Sequence, residues 1–265
     1  MRVRVFASGS SGNCLLLSCG STHILIDAGI SKRRVEQSLA PTGISMRDIG
    51  GVLITHEHSD HISGLKMLLK YYAIPVYAPH TVANRLRGCL PEVEPCLHII
   101  PVNESFSLGE LRITAFHTPH DTDESVGYRV CGDSVFAIAT DMGHVTEEVS
   151  AALTGADTVL IESNHDEDML RYGPYPIYLK RRILSDSGHL SNASCAALAR
   201  SLAESGTGRI ILGHLSRENN SPSLALSAAR EATAGLPVEL YCAPQYGCLT
   251  LSMPSGDEEA CACSQ

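Results

Sequence analysis

Residues 53–64, with the sequence LITHEHSDHISG, constrain this chain more than any other segment. They place three histidines and one aspartate, His56, His58, Asp60 and His61, within a few positions of each other. Two histidines at a spacing of two can share one cation, and an adjacent Asp-His pair can face a second one, as a two-metal hydrolase requires. Packed this closely, such groups are costly unless a cation satisfies them. The segment therefore predicts a metal site, and the alternative is a polar loop of solvated histidines.

The neighbouring residues predict where this site lies in the fold. The apolar run 51–54 predicts a buried strand. Ser59 is expected to cap a helix over 60–70, whose apolar residues include Leu65 and Leu68. The ligands would then lie at a strand-to-helix turn, where sites of layered α/β folds are common.

The pattern HxHxDH resembles the metallo-β-lactamase superfamily, and that resemblance implies further site residues at strand ends. Asp27, in LIDAG, would orient a ligand without binding metal. In HTPHD the resemblance favours His120 as the third ligand of the first metal, with His117 as the rival. Asp141 would bridge both metals, and His214 would be the last ligand.

The resemblance thus implies two divalent cations held by imidazole and carboxylate groups. The two implied ligand sets are His56, His58, His120 and Asp141 for one ion, and Asp60, His61, Asp141 and His214 for the other. Without thiolate ligands, zinc or manganese suits these sets, and iron is a further option. A bridging hydroxide between two such cations would attack the substrate, and Asp60 is assigned a catalytic role beside its ligand role.

The arrangement of apolar runs predicts an α/β class with strands and helices interleaved. The resemblance makes this a four-layer αββα sandwich of two similar halves, although no repeat is visible between them. One domain is expected over 1–253, followed by a polar, disordered tail over 254–265. Strands are predicted near 2–6, 14–18, 23–27, 51–54, 111–116, 126–130, 134–139, 157–161, 209–212, 238–242 and 247–251. Helices are predicted near 31–39, 60–70, 80–87, 145–153, 191–205 and 222–233.

Composition restricts the setting and the partners of the chain. No apolar run is long enough to span a membrane and no signal-peptide core is visible, so we expect a cytoplasmic protein with no membrane partner. Ten cysteines are scattered through the chain, and most should be free. The formal charge of -9 does not suit a protein that coats nucleic acid.

Further motifs favour one branch of the superfamily. The segments SGSSGN, HEHSDH, TPHD, ESNHD, GHLSN and GHLS, found between residues 8 and 216, are similar to those of a compact bacterial group called YycJ, WalJ or VicX. The ESNHD and SGHLSN motifs also resemble those of the β-CASP nucleases, but the chain has no room for a β-CASP domain between Glu162 and His189. The group resemblance implies a nuclease that acts on DNA ends from 5′ to 3′.

Several residues are expected to contact the substrate. By resemblance, His189 would donate to the scissile phosphate and bind no metal. Asn192, at the start of a helix, is a second candidate, and His165 is the candidate general acid, with an ordinary structural histidine as its alternative. Lys180 and Arg181, in a basic run, are candidates for phosphate contacts, although a solvated helix face is the commoner meaning of such a run.

These features predict a metal-dependent phosphodiesterase, in first place a 5′ to 3′ DNA exonuclease. The alternatives are a small-molecule hydrolase of the same fold, either a cyclic phosphodiesterase or a thioesterase, and an RNA nuclease. The surface around the metals would discriminate between them. An open basic groove would favour a nuclease, and a closed narrow pocket would favour a small ester.

Overall fold

Two seven-stranded sheets form the centre of the computed structural model, which describes residues 1–252. The predicted disordered tail, 254–265, lies outside the described residues. The strands are β1 (Arg2–Ala7), β2 (Cys14–Cys19), β3 (Thr22–Ile26), β4 (Ile49–Leu53), β5 (Val76–Pro79), β6 (Leu97–Ile100), β7 (Ser105–Leu108), β8 (Leu111–His117), β9 (Val126–Cys131), β10 (Val135–Ala139), β11 (Thr158–Glu162), β12 (Arg209–Gly213), β13 (Glu239–Cys242) and β14 (Leu249–Ser252).

Helices cover the outer faces of both sheets. They are α1 (Lys32–Leu39), α2 (Ser59–Ile62), α3 (Leu65–Tyr71), α4 (His80–Cys89), α5 (Glu147–Leu153), α6 (Glu167–Tyr172), α7 (Ile177–Ile183), α8 (Asn192–Glu204) and α9 (Pro222–Ala232). Within residues 1–252, no helix is both long and apolar enough to cross a membrane. None of the cysteines in this range forms a disulfide, in line with the expectation that most are unbridged.

The two sheets have the same order of strand pairing. The first sheet runs β14-β1-β2-β3-β4-β5-β6, with antiparallel pairs up to β3 and parallel pairs beyond it. The second runs β7-β8-β9-β10-β11-β12-β13, again antiparallel up to β10 and parallel beyond it. Helices α1 and α5 make the first parallel crossover in each half, and α4 and α9 make the last. The chain is therefore built from two topologically equivalent halves.

Alternation along the strands produces the four layers. On β2, Leu15 and Leu17 face the second sheet, whereas Leu16 faces the helices outside. A central apolar layer between the sheets is thus flanked by two outer layers, one under α1, α3 and α4 and the other under α5, α8 and α9. Burying one such leucine contributes about 1.5–3 kcal/mol. The predicted αββα sandwich is confirmed.

The predicted helix over 60–70 is wrong in its details. Helix α2 ends after one turn, and α3 begins beyond Ser63 and Gly64. A Cβ on Gly64 would lie 1.8 Å from the carbonyl oxygen of Ile30, so the chain breaks where its backbone packs against the loop after β3. Ser59 is the first helical residue and not the cap. The cap position belongs to His58, which makes no side-chain capping bond.

Five elements have no counterpart among the predicted ones, and each is short. Strands β5, β6 and β7 have four residues each. Strand β5 follows Pro75 and ends at Pro79, a composition that favours turns, while β6 and β7 lie at sheet edges. Helices α6 and α7 are separated by a segment with Pro174 and Pro176, which obscures their helical pattern.

Candidate metal centre

The candidate site lies at the carboxyl ends of parallel strands in both sheets. Asp27 follows β3, Asp141 follows β10, and His214 follows β12, and all three have left-handed backbones with φ of 59°, 57° and 54°. Among the described residues, Asn103 is the one other non-glycine residue with positive φ. Such conformations cost about 1–3 kcal/mol each and gather at functional sites. The left-handed backbone at each strand end therefore sets the direction of these three side chains.

The first donor cluster consists of His56, His58 and His120. The ring centroids lie 4.7 Å apart for His56 and His58 and 5.1 Å apart for each of the other two pairs, with interplanar angles of 75° to 81°. His58 Nδ1 and His120 Nε2 are 3.3 Å apart. One ring nitrogen from each residue falls within 4.8 Å of the others, an arrangement in which three imidazoles can hold one cation.

The second donor cluster consists of Asp60, His61, Asp141 and His214, whose donor atoms also lie within 4.8 Å of one another. Asp141 Oδ2 is 3.3 Å from His61 Nε2 and 3.2 Å from His214 Nδ1. Asp141 Oδ1 is 3.9 Å from His120 Nε2 of the first cluster. The two oxygens of Asp141 thus face different clusters, as a bridging ligand requires.

Unpartnered buried atoms test whether this donor set fits metal ions. His56 Nε2, Asp141 Oδ2 and His214 Nδ1 are buried, yet none has a hydrogen-bond partner among the described residues. Asp141 Oδ2 and His214 Nδ1 lie 3.2 Å apart without hydrogen-bond geometry, so both atoms face the space between the donors of the second cluster. Burial and the neighbouring His61 hold the pKa of His56 well below its usual range, which keeps the imidazole neutral for ligation. The residues fit divalent cations.

Asp27 and Thr55 lie behind the two clusters. Asp27 Oδ2 lies 2.8 Å from His61 Nδ1, while Asp27 Oδ1 accepts from the backbone N–H of Thr55 at 2.9 Å. The Thr55 hydroxyl lies 3.0 Å from Asp27 Oδ2 and 3.1 Å from His56 Nδ1. One buried carboxylate therefore fixes the inner ring nitrogen of a histidine in the second cluster and, through Thr55, one in the first.

The glycine-rich loop after β1 contacts the second cluster. The side-chain amide nitrogen of Asn13 lies 3.0 Å from His61 Nε2 and 3.3 Å from Asp60 Oδ2. Nearby, a Cβ on Gly29 would lie 1.6 Å from the carbonyl oxygen of Asp60, so this approach requires glycine. The Ser8 hydroxyl accepts from the backbone N–H of His214 at 2.8 Å. The loop thus supports ligands from both halves.

His189 lies beside the second cluster and is held by a buried carboxylate. Glu162, which is 0% exposed, places Oε1 2.7 Å from His189 Nδ1, and its Oε2 accepts from the backbone N–H groups of Met142 and Leu190. Burial of the imidazole opposes its charge, but Glu162 overcomes this and raises the pKa of His189 to about 9. His189 is thus protonated at neutral pH, with Nε2 left free of Glu162. The donor atoms of Asp141, Glu162, His189 and His214 also lie within 4.8 Å of one another.

A cavity of about 310 Å³ opens above both clusters. His58, His120, Asp141, His189 and His214 line it, together with Ser10, Ser59, Asp60 and Arg182. Arg182 forms an ion pair with Asp121, which raises the pKa of the guanidinium further. A fixed cation therefore stands at the wall of a cavity rich in imidazole and carboxylate groups.

The structure places the predicted basic residues differently from our expectation. The Lys180 ammonium donates to the carbonyl oxygens of Arg171 and Gly173 at 2.8 Å each. Arg181 is exposed, and neither residue lines the cavity, whereas Arg182 from the same run does. The run lies on α7, so successive side chains point in different directions. The sequence alone did not show which of them lines the cavity.

Three further residues do not reach the cavity. Asn192 is 6% exposed, and its side-chain amide is bonded to Ser163 and Asn220. His165 is 1% exposed, with both ring nitrogens unpartnered among the described residues, and it does not line the cavity. His117 pairs with Glu148 at the surface, so His120 is the histidine of HTPHD that joins the cluster. This geometry does not support substrate contact by Asn192 or proton transfer by His165.

Sequence reasoning gave no site role to several residues that the structure brings there. Asn13 and Glu162 belong to the SGSSGN and ESNHD motifs, so a signal for them was visible. Thr55 carries no signal of its own, because its role depends on Asp27 lying across the sheet edge.

Comparisons with known proteins agree with this geometry. Residues 22–215 match the family model described as "Beta-lactamase superfamily domain". Exodeoxyribonuclease YycJ of Bacillus anthracis is 37% identical over 225 residues, 83% of this chain and 84% of the relative. Exodeoxyribonuclease WalJ of Streptococcus pneumoniae is 39% identical over 226 residues, again 83% and 84%. The metallo-β-lactamase fold protein YhfI of Bacillus subtilis superposes with a TM-score of 0.71 at 15% identity, covering 94% of this chain and 98% of its own.

The fold and the donor clusters together define the class of this protein as a metal-dependent hydrolase. The chain belongs to the metallo-β-lactamase superfamily.

Proposed function

We propose that this protein is a metal-dependent phosphodiesterase that removes nucleotides from DNA ends in the 5′ to 3′ direction. The observation that carries the proposal is the Glu162–His189 pair, which holds a protonated imidazole beside the paired donor clusters. A phosphodiester develops negative charge on its non-bridging oxygens during cleavage, and a fixed cationic donor stabilises that charge. Relatives that span most of this chain are named exodeoxyribonucleases, which supports the same substrate class.

Two divalent cations, zinc or manganese with iron as a further option, would be held by the two donor clusters with Asp141 between them. When bound, they would supply Lewis acidity toward the phosphoryl group and a nucleophile at neutral pH. Asp27 and Thr55 fix the inner nitrogens of His61 and His56, so the outer nitrogens face the other donors of their clusters. Asp60 contributes one carboxylate to the second cluster, and its catalytic role in the proposal is that of a ligand.

His189 is the proposed catalytic donor. Its Nδ1 faces Glu162, which leaves Nε2 for a non-bridging oxygen of the scissile phosphate. Because Glu162 also accepts two backbone N–H groups, its carboxylate cannot turn away with the histidine. A histidine held in this way keeps its orientation toward the cavity.

The surroundings of the cavity favour an extended substrate over a small ester. A second cavity of about 250 Å³ shares Ser10, Arg182 and His189 with the first. Tyr175 and Leu179 provide an apolar part of its wall. A substrate can therefore extend beyond the metal centre past a fixed guanidinium, which suits a strand with successive phosphates and bases.

A substrate panel tests the proposal. Single- and double-stranded DNA labelled at the 5′ end, DNA labelled at the 3′ end, RNA and bis-p-nitrophenyl phosphate are incubated with the enzyme loaded with zinc or manganese. The proposal expects release of mononucleotides from the 5′ end of DNA. Faster cleavage of RNA would assign an RNA nuclease, and cleavage of the small diester alone would assign a small-molecule hydrolase.

A further inference from the structure

An exposed tyrosine lies between two arginines on the surface next to the second cavity. Tyr246 is 62% exposed. The guanidinium carbons of Arg34 and Arg217 lie 5.1 Å and 4.9 Å from its ring centroid. Both guanidinium groups are thus within cation–π distance of the ring, and among the described residues Tyr71 is another exposed tyrosine with two cationic neighbours, Lys32 and Lys70. We call Arg34, Arg217 and Tyr246 the tyrosine platform.

Hydrogen bonds fix the tyrosine platform in place. Arg34 donates to the carbonyl oxygens of Phe6 and Gln245, at 3.1 Å and 2.6 Å. Arg217 Nε donates to the side-chain oxygen of Gln245 at 2.9 Å. The Gln245 amide nitrogen in turn donates to the Leu215 carbonyl at 2.7 Å. The two arginine side chains beside Tyr246 are therefore held in place, which lowers the entropic cost of binding a ligand to them.

The cavity at the tyrosine platform is linked to the metal centre through cavities that share wall residues. Ser10 lines both the cavity above the donor clusters and the second cavity. Ser216 lines the second cavity and also a third one, of about 340 Å³, whose wall includes Arg217 and Tyr246. Ser8 contacts residues of both the third cavity and the metal centre. Its backbone N–H donates to the carbonyl oxygen of Pro244, and its hydroxyl accepts from the backbone N–H of His214. A chain of cavities thus leads from the metal centre to the platform.

On these observations, and resting on the function proposed above, we propose that the tyrosine platform binds the single strand that continues beyond the cleavage site. A base stacks on Tyr246, and a phosphate pairs with the Arg217 guanidinium. Arg217 is exposed and Arg34 is half-buried, so their guanidinium groups make this surface locally basic in a protein of formal charge -9, which suits a polyanion. Aromatic stacking beside basic groups is the usual way to hold a single strand without reading its sequence.

Binding and kinetics of Tyr246→Ala test the stacking contact. Fluorescence anisotropy measures the Kd of the metal-loaded enzyme for a single-stranded oligonucleotide with phosphorothioate linkages, which resists cleavage. Loss of one stacking contact typically weakens binding by about 5- to 150-fold. We expect such a rise in Kd, and in KM for unmodified DNA, with kcat little changed. Tyr246→Phe keeps the ring and should bind as the wild type does.

Salt dependence of Arg217→Ala tests the phosphate contact. Each phosphate neutralised on a single strand contributes about 0.7 to the slope of log K against log salt. Arg217→Ala should lower the slope by about that amount, a change that a merely structural arginine would not cause. Arg230→Ala is the matched control, because Arg230 is exposed on α9 and lines none of the three cavities.

Matched controls separate the proposal from its alternatives. Tyr71 is 58% exposed with Lys32 4.7 Å above its ring, but its cavity shares no lining residue with the other three. Tyr71→Ala should leave Kd unchanged. Equal Kd values for Tyr246→Ala and wild type, or equal losses in Tyr71→Ala, would overturn the proposal. Wild-type enzyme that cleaves bis-p-nitrophenyl phosphate but neither binds nor cleaves DNA would instead overturn the proposed function itself.

Discussion

The two halves of the molecule place an aspartate at the same point and use it differently. Asp27 and Asp141 both follow the fourth strand of their sheets, both have left-handed backbones, and both begin an Asp-x-Gly sequence. Asp27 lies behind the histidines and contacts Thr55 and His61. Asp141 lies in front of them, between the donor clusters. Equivalent backbone positions therefore supply the support for a ligand in one half and a shared ligand in the other.

The segment after the fifth strand of each sheet differs more strongly. Between β4 and β5 the first half has the ligand helix α2 and the short α3. Between β11 and β12 the second half has α6, α7 and α8, with Arg182 and His189 among them. The wall of the second cavity is thus supplied mainly by the segment between β11 and β12, which also contributes Arg182 and His189 to the cavity above the donor clusters. The first half contributes four of the seven residues in the two donor clusters, and the second half adds the groups that we propose contact the substrate.

The largest effect is expected from the shared aspartate. Asp141→Ala removes oxygens that face both donor clusters, so we expect loss of at least one bound ion and near-complete loss of activity. Metal content by plasma mass spectrometry and turnover of bis-p-nitrophenyl phosphate check it. A variant that keeps both ions and full turnover would show that Asp141 is not the bridge.

The next largest effect is expected when the proposed hydrogen-bond donor, His189, is removed. His189→Ala should keep the metal content of the wild type and its melting temperature within a few degrees, and lose about a hundred- to a thousandfold in turnover. The readouts are metal analysis, thermal unfolding, and rates on both DNA and bis-p-nitrophenyl phosphate. If the variant instead loses an ion, His189 is a metal ligand in the group with Glu162. If it cleaves both substrates at the wild-type rate, the histidine is structural.

The equivalent aspartate of the first half should matter less than Asp141. Asp27→Asn retains the shape of the side chain but weakens its hold on His61, and metal affinity should fall by about ten- to a hundredfold without loss of the fold. Competition with a chelator measures the affinity, and circular dichroism checks the fold. An effect as large as that of Asp141→Ala would remove the distinction between the two halves.

A smaller effect is expected from pH. The pKa of His189 is raised from 6.5 to about 9, so its charged pairing with Glu162 is fully present below about pH 6.5 and is lost as pH rises through about 9. Turnover should fall above pH 9 by up to tenfold per unit. Glu162→Gln should shift this alkaline fall in turnover to lower pH, whereas Asp27→Asn should leave its pH unchanged. If turnover falls at the same pH in the wild type and in Glu162→Gln, His189 is excluded as the titrating donor.

The sequence predicted much of the fold and the first donors, His56 to His61, for physical reasons, whereas the roles of His120, Asp141 and His214 were implied by the family resemblance. Ligands such as Asp141 and His214 follow buried apolar strands, and both strand and ligand are visible in a single segment. The contact of Thr55 with Asp27, and the choice of Arg182 over Lys180, depend on packing between segments far apart in the chain. Short strands such as β5 and β7 bury too few residues to show a clear period.

We propose that one carboxylate, Asp141, joins two cation sites built by the two halves. Anomalous diffraction from crystals grown with manganese or zinc tests it most directly. We expect two peaks, one among His56, His58 and His120 and one among Asp60, His61 and His214, each within bonding distance of Asp141. A single peak, or a second peak bound through Glu162 and His189 in place of Asp60 and His61, would contradict it.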